Sequence, residues 1–254
     1  MSDSKTTPMY EPVKDGVDKT VKSVLYTEAK PTDGLSELVH SYWELKTEAT
    51  LTEDFCLHAL PDACVNILFN QSDTRIAGIT ALRTTYEVLN LGKAFHYVGI
   101  QFFPGVWQGS QDETTDSFVG TPYLGELPLI EKSTQMAGLD FQDKQTVLSD
   151  LVHQLVDRKL VATNVVTAKI LVHIQDIQTV ADMAEVTRMS PRQLQRVLKA
   201  STGFSPHDLL KVLRLQQSFK QHYLDTYSDQ SHFIHSFKKI TGYTPAQYFR
   251  KFDV

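Results

Sequence analysis

The sequence predicts an α+β chain: an N-terminal β-rich barrel or sandwich ending in helices, followed by an all-α domain with two helix-turn-helix units. Three observations carry this. Short β-branched or aromatic runs separated by turn-forming clusters fill residues 21 to about 118. Helix-period apolar stripes with explicit start and stop signals take over from about residue 163. Finally, SPRQLQRVLKASTGFSPHDLLK (190–211) is echoed 39 residues later by DQSHFIHSFKKITGYTPAQYFR (229–250).

In chain order, residues 1–20 are polar with two prolines and read as a flexible arm. The runs VKSVLY, LVHSYWEL, FCLHALP, CVNILFN, TRIAGIT, TTYEVLNL and FHYVGIQFF then read as strands. Clusters such as Pro31-Thr32-Asp33-Gly34 and Asn70-Gln71-Ser72-Asp73 break them up. Several strands at this spacing suit a barrel or sandwich, and a small barrel can enclose one ligand. After Pro122 the pattern turns helical, with Val147, Leu148, Leu151, Val152, Leu155 and Val156 on one stripe of the segment 141–160.

Helices are expected over 165–176, 180–186, 191–201, 206 to about 224, 230–240 and 245–251. Thr179-x-x-Asp182, Ser190-x-x-Gln193, Ser205-x-x-Asp208 and Thr244-x-x-Gln247 supply capping boxes. Pro191, Pro206 and Pro245 fall in first turns, where a missing N–H costs nothing. Gly203 and Gly242 fall where a helix must stop.

The chain has 254 residues, 41% hydrophobic and 22% charged, which suits an ordinary globular protein of about two domains. Two cysteines imply no disulfide framework, and neither a secretory leader nor a membrane-spanning run is visible, so a cytoplasmic location is expected. Residues 1–164 carry 13 Lys+Arg against 23 Asp+Glu, and residues 165–254 carry 12 against 7. The net charge of −5 therefore hides a basic C-terminal third suited to phosphate.

Chemistry concentrates in FCLHALPDAC, where Cys56, His58 and Cys64, with His96 on another strand, are residue types that zinc accepts. Buried cysteines and hydrogen-bonded histidines are commoner than metal sites, so neither a metal nor a cofactor is expected. A Cys–His nucleophile lacks an orienting third group, and no phosphate loop or hydrolase elbow is present, so no enzyme is expected either.

The pair 180–186 and 191–201, joined by Thr187-Arg188-Met189, has helix-turn-helix proportions. Burying Leu194, Val197 and Leu198 leaves Arg192, Gln193, Gln195, Arg196 and Lys199 pointing away. Arginine can pair with guanine, glutamine with adenine and lysine with phosphate, so double-stranded DNA is the expected partner. In the echo, Gln230, Ser231, His232, His235 and Lys238 occupy the corresponding helix.

At this point the chain resembles the AraC/XylS family of bacterial transcription regulators. The resemblance rests on VADMAEVTRMSPRQLQRVLKASTGFSPHDLLKVLRLQ and DQSHFIHSFKKITGYTPAQYFRKF, and more loosely on YWEL, LPDACVNILF and VGIQFFPG. It implies a cupin-like sensory or dimerisation domain over 21–160 and a DNA-binding domain over 165–254. A small-molecule effector, homodimerisation and contact with RNA polymerase are the partners such a protein admits. By position, Arg192, Gln195 and Arg196 would read bases in the first unit, and Gln230, Ser231, His232 and His235 in the second.

Two departures separate the chain from that family. The segment between the units is short by roughly 11 residues, about 16 Å of helix, although reading helices in successive major grooves lie about 34 Å apart. Ile234-His235 stands where the family more often has a small polar residue and arginine, and neutral histidine is the poorer guanine reader. The first unit is therefore expected to supply most of the reading. An interaction protein of the same fold with weakened or lost DNA binding, acting on partner regulators, is the alternative.

Overall fold

A computed structural model of the chain describes residues 10–32, 34–109, 120–220 and 229–254. The fold is α+β, with an N-terminal β-sheet domain followed by helices. Its strands are β1 (Val17–Asp18), β2 (Val24–Ala29), β3 (Val39–Thr47), β4 (Phe55–Ala59) and β5 (Asn66–Asn70). After them come β6 (Ala77–Ile79), β7 (Glu87–Gly92) and β8 (His96–Phe102). Each of the seven expected strand segments holds one of β2 to β8.

Antiparallel ladders join five strands in the order β2-β3-β8-β5-β6, and β4 pairs with β7 as a separate layer. Alternation along the strands sorts side chains onto two faces. Tyr42, Ile67, Phe69, Val98, Ile100 and Phe102 enter one core, while Val24, Leu45, Leu68 and Tyr97 meet Phe55, Leu57 and Leu89 of the β4–β7 layer in another. The arrangement is a sandwich. Trp43 lies across Gly99 of β8, where an added Cβ would sit 2.3 Å from the indole.

The first face is covered by α1 (Leu129–Gln135) and α2 (Phe141–Asp157). α2 starts where the Asp140 side chain accepts from the Asp143 amide, and its apolar stripe buries Leu148, Leu151, Val152 and Leu155. Lys144 shares this buried face because it reaches Glu44 of β3 at 2.7 Å, both side chains being 2% exposed. Burial opposes charge on Glu44, but hydrogen bonds from Lys144, Lys46 and His96 outweigh it and hold the carboxyl at about 2.

The remaining elements are α3 (Val165–Val172), a 3-10 turn (Ile174–Asp176), α4 (Val180–Thr187), α5 (Pro191–Thr202) and α6 (Pro206–Ser218). They are followed by α7 (Gln230–Thr241), α8 (Pro245–Lys251) and β9 (Phe252–Asp253). The apolar core on the first sheet face runs without a break into α3–α6 through Val161, Ile170, Met183, Leu194 and Leu209. Residues 160–164, between the two expected domains, are tied to 105–108 by backbone bonds such as Gln108 N–H to Leu160 O at 2.8 Å.

Two expectations change. The arm read as flexible is seated from Tyr10 onward: the Tyr10 hydroxyl donates to Asp62 O at 2.6 Å, and β1 pairs with β9. Its partners are distant in sequence, so no local pattern revealed them; residues 1–9 lie outside the described residues. The helix expected to reach about residue 224 ends at Ser218, and residues 221–224 of that expectation lie outside the described residues.

Glu44 ionised below its ordinary 4.5 contributes stability that is complete above that value and is lost as pH falls toward 2. Lys144→Ala, which leaves Glu44 only Lys46 and His96, is expected to cost about 1–3 kcal/mol in urea unfolding. The double change Glu44→Gln with Lys144→Met is expected to cost less than that single one.

Candidate nucleic-acid interface and the cavity behind it

The two echoed segments are the same local structure. In the first, the Ser190 side chain accepts from the Gln193 amide, α5 buries Leu194, Leu198 and Thr202, and Gly203 ends it in the left-handed region at φ 71°. In the second, Asp229 caps α7, which buries Phe233, Phe237, Ile240 and Thr241 and ends at Gly242 with φ 78°. Thr202 and Thr241 each return their hydroxyl to the carbonyl four residues back and accept from the amide two residues on. Ser205 and Thr244 then cap the next helices, with proline in each first turn.

The first unit is complete. α4 opens on the Thr179/Asp182 capping box and closes at Arg188 in the left-handed region, and α4 and α5 share one core through Met183, Leu194 and Leu198. Arg192, Gln195 and Arg196 are exposed on α5. Gln193 and Lys199 are exposed too but committed locally. The Gln193 amide oxygen accepts from the Ser190 amide at 3.1 Å, and the Lys199 ammonium donates to Gly203 O at 2.6 Å. These two side chains finish the ends of the helix that carries the others.

In the second unit Gln230, Ser231, His232, His235 and Lys238 are all exposed on α7. Here the supporting core is different. α7 and α8 pack on Leu215 at the end of α6 and on Leu60 of the β domain. His58 of β4 enters a ring cage, with Tyr86 at 4.7 Å, Phe252 at 4.8 Å, Tyr248 at 5.3 Å and Tyr243 at 5.5 Å between centroids. Tyr86 lies where a Cβ on Gly242 would be, so that glycine serves both the helix stop and the close approach. Gln216 of α6 fastens the same junction, accepting from the Val13 amide and donating to Pro61 O, both at 2.8 Å.

The segment FCLHALPDAC therefore holds chemistry of another kind from the one it suggested. Cys56 is exposed, His58 faces the C-terminal unit, and Cys64 is buried. Among the described residues no group of three His, Cys, Asp or Glu could hold a metal ion.

Behind His58, between the β4–β7 layer and the five-stranded sheet, lies a cavity of about 100 Å³. Trp43, Leu45, Leu57, Leu68 and Leu89 give it apolar wall, and Asp15, Asp62, Gln101 and Arg83 give it polar wall. Burial, with the charge of Asp62 adding, pushes the Asp15 carboxyl up to about 7 although the Leu60 amide donates to it at 2.7 Å. Burial also raises Asp62, against hydrogen bonds from the Cys64 amide at 2.9 Å and Gln101 at 2.7 Å. None of these residues stands out as a site in the sequence; alternation along β3 does place Trp43 and Leu45 on one face.

A family model described as a domain of unknown function, DUF6597, matches residues 27–120, a span that includes β3 to β8. No curated protein matches. Among solved structures, that of a lysine-to-alanine variant of apo ToxT from Vibrio cholerae strain SCE256 is similar at 14% identity and a TM-score of 0.43. The alignment covers 92% of this chain and 99% of that one.

Burial among rings, with the charge of Lys251 adding, lowers His58 from 6.5 to about 4. Its neutral form is the docked form, so the stability it gives is complete above 6.5 and is lost as pH falls through 4. Protection factors of the α7 amides, taken relative to intrinsic exchange at each pH, should fall as pH drops from 6.5 to about 4, and His58→Phe should flatten that dependence. Gln193→Ala should lower stability by about 1 kcal/mol through the lost capping box, measured by thermal melting.

Proposed function

We propose that the chain is a DNA-binding transcription regulator that reads the major groove mainly through α5. A sensory or dimerisation domain over 21–160 and a DNA-binding domain over 165–254 are part of the reading. The single observation that carries it is the repeated unit: two capped helices of like design, each ending at a left-handed glycine, each presenting exposed polar side chains in a basic third of the chain. The resemblance to the AraC/XylS family supports the same function. No covalent chemistry is required. No helix among the described residues is long and apolar enough to cross a membrane.

Arg192, Gln195 and Arg196 are the base readers in this reading. Gln193 and Lys199 act through helix geometry and through any phosphate within their remaining reach. Gln230, Ser231, His232, His235 and Lys238 form a weaker second contact. The α7–α8 unit is held on the β domain by the His58 cage, and only residues 219–229 separate α6 from α7. That docking favours a second reading, in which the unit serves protein contact and the chain acts on partner regulators with little DNA affinity of its own.

Footprinting on a selected duplex separates them. Arg196→Ala should lose about 1–3 kcal/mol and relax preference at one base position. His235→Ala should lose less, with a smaller change in salt slope. Equal losses overturn the asymmetry, and no salt-dependent binding of the wild-type chain to any duplex supports the second reading.

A further inference from the structure

The cavity between the two sheets has a charge that its own residues leave unbalanced. Two cations line it, Lys14 and Arg83. Each is paired with a carboxylate outside the lining: Lys14 with Asp253 at 2.8 Å, Arg83 with Glu87 at 2.9 Å. Three carboxyl groups line it as well: Asp15, Asp62 and Glu28.

Their partners are not equal. Both Asp62 oxygens accept a hydrogen bond, one from the Cys64 amide and one from Gln101. Glu28 accepts from the Tyr26 hydroxyl at 3.3 Å. Asp15 accepts from the Leu60 amide through Oδ1 alone, and its Oδ2 has no hydrogen-bond partner among the described residues. A carboxyl oxygen of a half-buried residue that lines a cavity and takes no donor from the protein is open to a donor from a ligand. A ligand hydroxyl can donate to that oxygen but leaves the charge; an ammonium group does both.

The opposite wall is apolar and partly aromatic, with Trp43 pinned on Gly99 and bonded through Nε1 to Asn66 at 3.1 Å. The volume of about 100 Å³ corresponds to roughly seven to ten water-sized positions. A space of that size calls for a compact ligand.

We propose that this cavity binds a small primary amine with an apolar tail, its ammonium group donating to Asp15 Oδ2 and its tail lying against Trp43, Leu45 and Leu57. The inference rests on reading the β domain as the sensory part of the protein, and it names the class of molecule sensed. Burial and the neighbouring Asp62 hold the free Asp15 carboxyl up at about 7, with Arg83 opposing. Amine affinity therefore rises as pH increases through 7, where Asp15 ionises before the ligand arrives.

Titration calorimetry on the full chain, with Trp43 fluorescence as a second readout, tests this with three probes of matched size. These are 2-phenylethylamine, 2-phenylethanol and phenylacetate. At pH 8 the amine should bind at least tenfold more tightly than the alcohol, with no heat from the carboxylate. Asp15→Asn should erase the preference for the amine. Phenylacetate binding as tightly as the amine, a preference that survives Asp15→Asn, or no binding of any probe to the folded wild-type chain each overturns the proposal. Should Asp15→Asn fail to fold, the order of the three probes on the wild-type chain still decides. A parallel gel shift keeps the two readings apart: amine binding without duplex binding sinks the regulator and spares the cavity, and the reverse result does the opposite.

Discussion

The central strands β3, β5 and β8 are buried on both faces, and the rest of the architecture follows from that constraint. Ordinarily one face of an antiparallel sheet can be left to water. Here each strand must supply two sets of apolar side chains. One set packs against α2 and runs on into the first helix-turn-helix unit. The other packs against β4 and β7 with a gap between them. A sheet so enclosed cannot shift one core without disturbing the other, because interiors at this density transmit strain. The ion pair of Glu44 with Lys144 fixes α2 against the same sheet at a single register.

One strand layer separates the cavity from the second unit. Gly16 and His58 exchange both backbone hydrogen bonds, at 2.9 and 3.2 Å. Asp15, next to Gly16, faces the cavity, while His58 faces the rings of Tyr248 and Phe252. A Cβ on Gly16 would lie 2.6 Å from the Tyr248 hydroxyl, so the arm and α8 are in direct contact. Any displacement of the Asp15 backbone is therefore a displacement of the bridge that carries His58. A ligand favouring one position of that bridge would shift the docking equilibrium of α7 and α8 by its difference in affinity.

What could be read from the sequence was local. The strands β2 to β8 announce themselves by β-branched and aromatic runs. The caps at Thr179, Ser190, Ser205 and Thr244 all accept where the spacing says they should. The stops at Gly203 and Gly242 follow from chirality alone. The misses were contacts between distant parts of the chain. Tyr10, Asp15 and Val17 sit in a polar, proline-containing stretch that reads as solvated, and only their far partners make them structural. His58 carries ligand chemistry in the sequence, yet its surroundings come from Tyr86 and from Tyr243, Tyr248 and Phe252, far along the chain. Gln193 and Lys199 have the right chemistry for DNA and the right exposure, but capping competes for both.

The pairing of β1 with β9 carries a further consequence, for assembly. Lys14 and Asp253, joined by an ion pair beside that ladder, stand 239 positions apart. Few contacts cost more loop entropy to close. During synthesis the arm can meet His58, Leu60 and Asp62 early, but its ladder with β9 waits until almost the whole described chain has emerged. Asp15 takes its hydrogen bond from Leu60, so the cavity wall it forms can be laid down before α8 is made, and the closing of β1 on β9 comes last, fastening the arm beside α8.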